Sequence, residues 1–130
     1  MNNIHVDCVL DAKANLGEGP IWSIKDQNLY WVDINNCQLC KFNPVNGENI
    51  TINVGKPIGC FAIKKNLNII LALTNGFFEL NQNDKSMNFI NNPETNILDN
   101  RFNDGTVDLK GRFYAGTMPI SGSNINSKPK

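Results

Sequence analysis

Apolar and polar residues alternate along most of the chain, in short runs that are bounded by Asn, Gly, Asp and Pro. The alternation has a period of two, and the apolar positions are rich in β-branched and aromatic residues, as in strands that bury one face. No apolar stripe with helical spacing continues long enough to make a stable helix. The pattern predicts an all-β chain of antiparallel hairpins, with strands at residues 4–10, 20–24, 28–34, 38–42, 49–54, 58–63, 68–73, 76–80, 86–90, 105–109 and 112–117.

One motif occurs three times within this pattern. It consists of an apolar strand that ends near a lysine, a polar turn and a second apolar strand, and its lysines are Lys25, Lys64 and Lys110. The first two copies are followed by a third strand and a polar fourth strand. Repeats of four strands at roughly 40–45 residues are typical of β-propeller blades, although a meander of hairpins also repeats loosely.

The repeat predicts an incomplete arc of about two and a half antiparallel four-stranded blades, the last blade being represented by its inner half. Such an arc leaves sheet edges and one apolar face without a partner, which favours aggregation. We therefore expect the chain to be part of a longer protein, whose remaining blades are needed to close the ring. Residues 1–118 are predicted to form the partial propeller, and residues 119–130 a polar tail that is loop or disordered.

Composition and charge limit the possible partners. The 12 Lys and Arg residues balance the 12 Asp and Glu residues, so no basic surface is available to collect the phosphates of a nucleic acid. No apolar run approaches the ~20 residues of a membrane helix, and the first residues lack the features of a secretory signal, so we expect a cytoplasmic protein that does not bind membranes. The aromatic residues, Trp22 and Phe61 among them, are expected in the core between blades.

A first candidate for chemistry is Glu18, which lies between two glycines directly before the inner strand of the first blade. The flanking glycines and Pro20 indicate a tightly turned backbone that directs this carboxylate to one place. A carboxylate is a suitable oxygen ligand for Ca²⁺, Mg²⁺, Mn²⁺ or Zn²⁺. The alternative is a surface glutamate in a glycine turn.

A second candidate is the segment 99–105, D-N-R-F-N-D-G, which stands at the equivalent place before the third blade. Arg101 offers a planar fork of donors, and Asn103 offers both a carbonyl and an amide group. Together they suit a polyhydroxylated ligand with one anionic or carbonyl end, whereas the alternative is an Asx turn with Arg101 in solvent. The segment lacks the Gly and Glu positions of an EF-hand loop, and Cys37 and Cys40 are interpreted as reduced structural thiols.

Two stretches of sequence resemble a known family. They are L-G-E-G-P-I-W at 16–22 with L-Y-W-V-D-I at 29–34, and R-F-N-D-G at 101–105 with G-R-F-Y-A-G-T-M at 111–118. These motifs resemble the regucalcin (senescence marker protein), gluconolactonase and luciferin-regenerating enzyme family. The resemblance runs in uninterrupted register from about Ile4 to Met118.

The resemblance implies a six-bladed β-propeller that hydrolyses sugar lactones with one divalent metal ion on its axis, Ca²⁺ or Zn²⁺, Mn²⁺ or Mg²⁺. Glu18 corresponds to a metal ligand of the family, and Arg101 and Asn103 correspond to substrate-binding residues. The implied chemistry is Lewis-acid catalysis, in which the metal polarises the lactone carbonyl and activates a water. The catalytic base and the other metal ligands are expected beyond Lys130, so the isolated chain is expected to have little or no lactonase activity.

Two alternatives to a lactonase remain open. Family members are also described as calcium-binding regulatory proteins of the cytosol, and the chain could be an inactive propeller fragment. A substrate-facing Arg101 has no role in calcium buffering. We therefore favour the hydrolase for the family as a whole, and the inactive propeller fragment for this chain in isolation.

Overall fold

The computed structural model describes residues 4–120, which contain ten β-strands and no helix. The strands are β1 Gly17–Ser23, β2 Asn28–Asp33, β3 Gln38–Phe42, β4 Asn49–Asn53, β5 Ile58–Ile63, β6 Ile69–Leu73, β7 Gly76–Leu80, β8 Met87–Asn91, β9 Asn100–Val107 and β10 Phe113–Pro119. In chain order, β1 to β4 form one four-stranded sheet, β5 to β8 form a second, and β9 pairs with β10. All neighbouring strands are antiparallel. None of the described elements is a helix that could span a membrane.

This arrangement confirms the predicted fold class and repeat. Each sheet begins with one copy of the lysine motif, and two complete sheets and one half sheet correspond to the predicted two and a half blades. The first strands of the three sheets lie side by side, because β5 packs against both β1 and β9. We call β1, β5 and β9 the inner strands.

The predicted strand at residues 4–10 is wrong. Residues 4–16 contain no strand, and most of their side chains are exposed. The alternating pattern of this segment matches a strand, but a strand also needs a neighbour for its backbone N–H and C=O groups. No strand of residues 4–120 pairs with it. The predicted tail begins at residue 119, and all but its first two residues lie outside the described part of the chain, so the domain boundary stays a prediction.

Each inner strand carries a β-bulge near its start. The register shifts between Glu18 and Ile21 in β1, and between Ile58 and Cys60 in β5. In the third sheet one extra residue of β9 stands opposite the stretch from Ala115 to Thr117 of β10. A bulge bends its strand and redirects the neighbouring side chains. The recurrence of the bulge shows that the three repeats share their backbone geometry as well as their sequence motif.

The main core lies between the first and second sheets. Alternate residues of the facing strands supply it: Tyr30, Val32, Ile34, Leu39, Val54, Ile58, Phe61, Ile69, Leu71, Leu73 and Leu80. A smaller cluster of Cys60, Ala72 and Phe102 joins the second sheet to the third. The prediction that the aromatic residues are core is confirmed for Tyr30 and Phe61 but wrong for Trp22, which is 45% exposed.

Candidate functional site

The inner strands β5 and β9 approach each other closely at Gly59. A Cβ atom added to Gly59 would lie 2.4 Å from both the carbonyl carbon and oxygen of Phe102, and 2.8 Å from the backbone nitrogen of Asn103. Only glycine leaves room for a neighbouring backbone at such a distance. The lack of a side chain at position 59 therefore fixes where the Phe102–Asn103 peptide runs.

A second close approach lies at Gly105 of β9, which contacts both β5 and β10. A Cβ atom at Gly105 would lie 2.6 Å from the sulfur of Cys60 and 2.5 Å from the carbonyl oxygen of Tyr114. Phe102 is buried beside these contacts, and its ring lies 4.5 Å from that of Phe77. The backbone around residues 101–103 is thus held by packing on both sides of the bulge.

Arg101 and Asn103 meet on this fixed stretch of β9. Both side chains are half-buried. Arg101 Nη1 donates hydrogen bonds to the carbonyl oxygen of Phe102 at 2.9 Å and to Asn103 Oδ1 at 3.4 Å. The two predicted ligand-binding residues therefore form one polar group, and the alternative of an Asx turn with a solvated arginine does not describe the structure, because residues 100–107 are a strand.

Glu18 lies in β1 opposite Val32, immediately before the bulge at Gly19 and Pro20. Gly19 has a φ of 62°, a conformation that glycine adopts without strain. The Glu18 side chain is exposed, and it lines an apolar hollow together with Pro20 and Trp31. The predicted glycine turn is therefore a bulged strand.

Asp33 holds the chain where it enters β1, a role that was not predicted from the sequence. The side chain is 2% exposed and accepts hydrogen bonds from the backbone N–H groups of Asn15 at 2.9 Å and Leu16 at 3.1 Å, and from Asn36. Burial alone would raise the pKa of Asp33, but these hydrogen bonds outweigh it and hold the pKa below its ordinary value. An aspartate that ends an apolar strand, as in L-Y-W-V-D, is the signal in the sequence.

The structure brings Arg101 and Asn103 together but places Glu18 on a different inner strand, with β5 between them. Within residues 4–120 no three His, Cys, Asp or Glu side chains form a group that could hold a metal ion. Ca²⁺ takes six to eight oxygen ligands, whereas Glu18 supplies a single carboxylate and needs further ligands to hold the ion.

Cys40 and Cys60 have the character of structural thiols. All four cysteines are free, and Cys40 and Cys60 are buried. Burial raises the pKa of Cys40 to about 11 and that of Cys60 to about 12, with smaller contributions from Asp33 and Asp104 respectively. A thiol that stays protonated at neutral pH is a poor nucleophile and a poor metal ligand.

Two four-stranded antiparallel sheets and a third, two-stranded sheet follow one another along the chain, and their first strands lie side by side. This is the arrangement of successive blades in a β-propeller. Residues 16–128 match the family described as the SMP-30/Gluconolactonase/LRE-like region. The chain belongs to this family, and the resemblance that its motifs indicated is confirmed.

Similar proteins include regucalcin from Xenopus laevis, which is 37% identical over 118 residues, and 6-deoxy-6-sulfogluconolactonase from Pseudomonas putida, which is 35% identical over 116 residues. These alignments cover 91% and 89% of this chain and 40% of each relative. The chain thus spans about two fifths of the length of these relatives.

Solved structures show the same fold. A luciferin-regenerating enzyme matches 85% of this chain and 38% of its own length, with a TM-score of 0.78 and 27% identity. A regucalcin from Agrobacterium tumefaciens, described as a calcium-binding protein, matches 82% of this chain and 36% of its own length, with a TM-score of 0.76 and 22% identity. At that level of identity the second match supports the fold alone.

Proposed function

We propose that this chain is part of a divalent-metal-dependent sugar lactone hydrolase of the gluconolactonase type. In this proposal Arg101 and Asn103 bind the substrate and Glu18 contributes one metal ligand. The observation that carries the proposal is the joined polar group of Arg101 and Asn103, which β9 presents next to β5. The family membership and the sulfogluconolactonase relative support a lactone as the substrate.

The side chains of Arg101 and Asn103 are already in fixed positions before a substrate binds. The Arg101 guanidinium has five N–H donors, so the hydrogen bonds of Nη1 leave further donors for a carbonyl or anionic oxygen of the ligand. Asn103 adds an amide group that can donate to or accept from hydroxyl groups. Because β9 is fixed against β5 at Gly59, these groups keep their positions before the ligand arrives.

The metal ligand is the less complete part of the proposal. Glu18 offers one carboxylate next to a bulge that holds its backbone. We propose that residues beyond Lys130 supply the remaining ligands and the catalytic base, together with the blades that close the ring on residues 1–118. The isolated chain is then expected to hydrolyse lactones poorly or not at all.

A second candidate function is that of a cytosolic calcium-binding regulatory protein. The similarity to proteins named regucalcin favours it. The two candidates differ in what Arg101 and Asn103 do, because a calcium-binding protein without enzymatic activity has no use for a substrate-holding arginine.

The experiment that tests the proposal measures gluconolactone hydrolysis by the complete protein that contains this chain, with Ca²⁺, Zn²⁺ or Mn²⁺ added. We expect metal-dependent hydrolysis that Glu18→Gln abolishes and Glu48→Gln leaves intact, since Glu48 is an exposed residue of the connection between β3 and β4. Calcium binding that is unaffected by the lactone, with no hydrolysis under any metal, would favour the regulatory protein. Full activity of the isolated 130-residue chain would contradict the proposal that further blades supply metal ligands and the catalytic base.

A further inference from the structure

A small cavity with both polar and apolar lining residues lies under the loop of residues 92–99, which connects β8 to β9. Its volume is about 120 Å³. The loop covers one side, β9 and β10 form another, and the turn at Thr74 and Asn75 closes it. Neither Glu18 nor Asn103 lines it. The cavity is therefore separate from the metal ligand proposed above.

Glu94 of this loop is held in a defined orientation at the cavity. Its Oε2 accepts a hydrogen bond from Asn100 Nδ2 at 3.1 Å, and its Oε1 accepts one from Thr117 Oγ1 at 3.0 Å. One carboxylate thus ties the loop to both strands of the third sheet. Each oxygen keeps a second lone pair, and carboxylates that bind metals are commonly hydrogen-bonded in this way by groups behind them.

Two of the residues that line the cavity, Asn75 and Asn100, carry buried acceptors that lack donors. A carboxylate can only accept hydrogen bonds, so the amide nitrogen of Asn100 must face Glu94. The amide oxygen, Oδ1, therefore points away from Glu94. Asn100 is 4% exposed, and among residues 4–120 its Oδ1 has no hydrogen-bond partner. The Oδ1 atom of Asn75 is likewise buried without a partner in that part of the chain.

We propose that this cavity is an oxygen-liganded cation site, with Ca²⁺ as the best-suited ion. Two amide oxygens and a carboxylate are typical calcium ligands, and water can complete the coordination. A water takes up roughly 30 Å³, so the cavity has room for an ion and a few waters. The cation would provide the positive partner that the Asn75 and Asn100 oxygens and Glu94 share.

The positive charge of Arg101 lowers the affinity that we expect this site to have for a cation. Its side chain also lines the cavity, although Nη1 is engaged by the carbonyl oxygen of Phe102 and by Asn103. A nearby positive charge opposes a cation, and the site has a single carboxylate. We therefore expect the weak end of the range for calcium proteins, with a dissociation constant on the order of 10⁻⁴–10⁻³ M.

The site is tested by titrating the chain with Ca²⁺ in a calorimeter, in the Glu18→Gln background so that the proposed axial ligand makes no contribution. We expect one weakly bound ion per chain. Glu94→Gln should weaken binding at least ~10-fold, because it removes the charge while Asn100 can turn its amide to keep the hydrogen bond. Glu48→Gln, a matched change at an exposed glutamate, should have no effect.

Two results would overturn the proposal. One is the absence of binding up to ~10 mM Ca²⁺, well above the expected range, which would mean that water alone fills the cavity. The other is binding that Glu94→Gln does not change.

Circular dichroism shows whether each variant is folded. Asn75→Ala, on the opposite wall of the cavity, provides an independent second variant that should weaken binding several-fold. These readouts do not depend on lactonase activity, so the failure of this site and of the proposed function are distinguishable.

Discussion

The α-carbon of Gly59 in β5 faces the carbonyl group of Phe102 in β9 so closely that no side chain fits between them, the nearest atoms lying 2.4 Å from an added Cβ. The opposing atoms are backbone, which cannot move aside as a flexible side chain can. The distance between these two inner strands at Phe102 therefore depends on the glycine at position 59, and so does the position of the neighbouring Arg101 and Asn103.

Gly59→Ala is expected to destabilise the fold and to displace β9 from β5. Overpacking of this kind costs about 1–3 kcal/mol in free energy of unfolding. Urea denaturation measures the change. The matched control is Gly116→Ala in β10, where an added Cβ would meet no atom closer than 3.9 Å. Equal stability of the two variants would show that the inner strands are not held by this contact.

A polar group buried between the first two sheets gives a second prediction. The Tyr30 hydroxyl, in a side chain that is fully buried, donates to Asp26 Oδ2 at 2.8 Å and accepts from Gln82 Nε2 at 3.1 Å. Asp26 Oδ2 also lies 2.9 Å from Lys41 Nζ. Since Gln82 lies in the turn between β7 and β8, this hydroxyl links the first blade to the second.

Tyr30→Phe is expected to lower the free energy of unfolding by about 0.5–1.5 kcal/mol, because it removes the hydroxyl hydrogen bonds while Asp26 keeps Lys41 and Gln82 keeps the carbonyl oxygen of Leu67 as partners. Thermal or urea unfolding provides the measurement. A double-mutant cycle with Gln82→Leu separates the link between blades from the contact with Asp26. Additive effects in that cycle would mean that the hydroxyl contributes nothing across the two sheets.

The same group predicts how stability responds to acid. Burial alone would raise the pKa of Asp26, but hydrogen bonds from neighbouring donors, among them Lys41 and Tyr30, outweigh it and lower the pKa from 3.8 to about 2. A folded-state pKa below the unfolded value means that the stabilisation is complete above pH 3.8 and is lost as the pH falls towards 2. Unfolding free energies measured across this range should fall by on the order of 1 kcal/mol more in the wild type than in Asp26→Asn.

Most strands and their repeat could be predicted, because they depend on the local alternation of apolar and polar residues. The bounds of the inner strands β1 and β9 differ from the prediction, because pairing with a neighbouring strand determines where they begin. Gly17–Gly19 and residues 100–104 have the composition of turns, yet pairing with β2 and β10 extends them into bulged strands. Residues 4–10 show the reverse, since their pattern suits a strand but no strand of the described residues pairs with them.

The candidate site was predictable in part for the same reason. Arg101 and Asn103 stand out by their chemistry, two positions apart on one strand. Gly59 and Asp33 owe their importance to partners far along the chain, so their roles become visible only when the sheets are packed together. The role proposed for Glu94 likewise depends on its hydrogen bonds with Asn100 and Thr117, which form only in the folded structure.

Arg101→Lys tests the proposed substrate contact most directly. Lysine keeps the charge but lacks the planar fork, so it cannot reach the Phe102 carbonyl and Asn103 while also donating to a ligand. The loss of one charge-assisted hydrogen bond, about 1.5–3 kcal/mol, corresponds to a roughly 10- to 100-fold lower kcat/KM for gluconolactone in the complete protein. Most of the loss should appear as a higher KM, because the bond is made to the bound substrate.

The chain offers a control of the same chemistry in the third sheet. Arg112 is exposed and pairs with Asp108 in the turn between β9 and β10 at 2.6 Å, so Arg112→Lys makes the same exchange away from the proposed site. It should change neither KM nor kcat, and both variants should unfold at the wild-type urea concentration. An unchanged KM in Arg101→Lys would remove Arg101 from the substrate site, because a guanidinium that binds the lactone cannot be replaced by an ammonium group without cost.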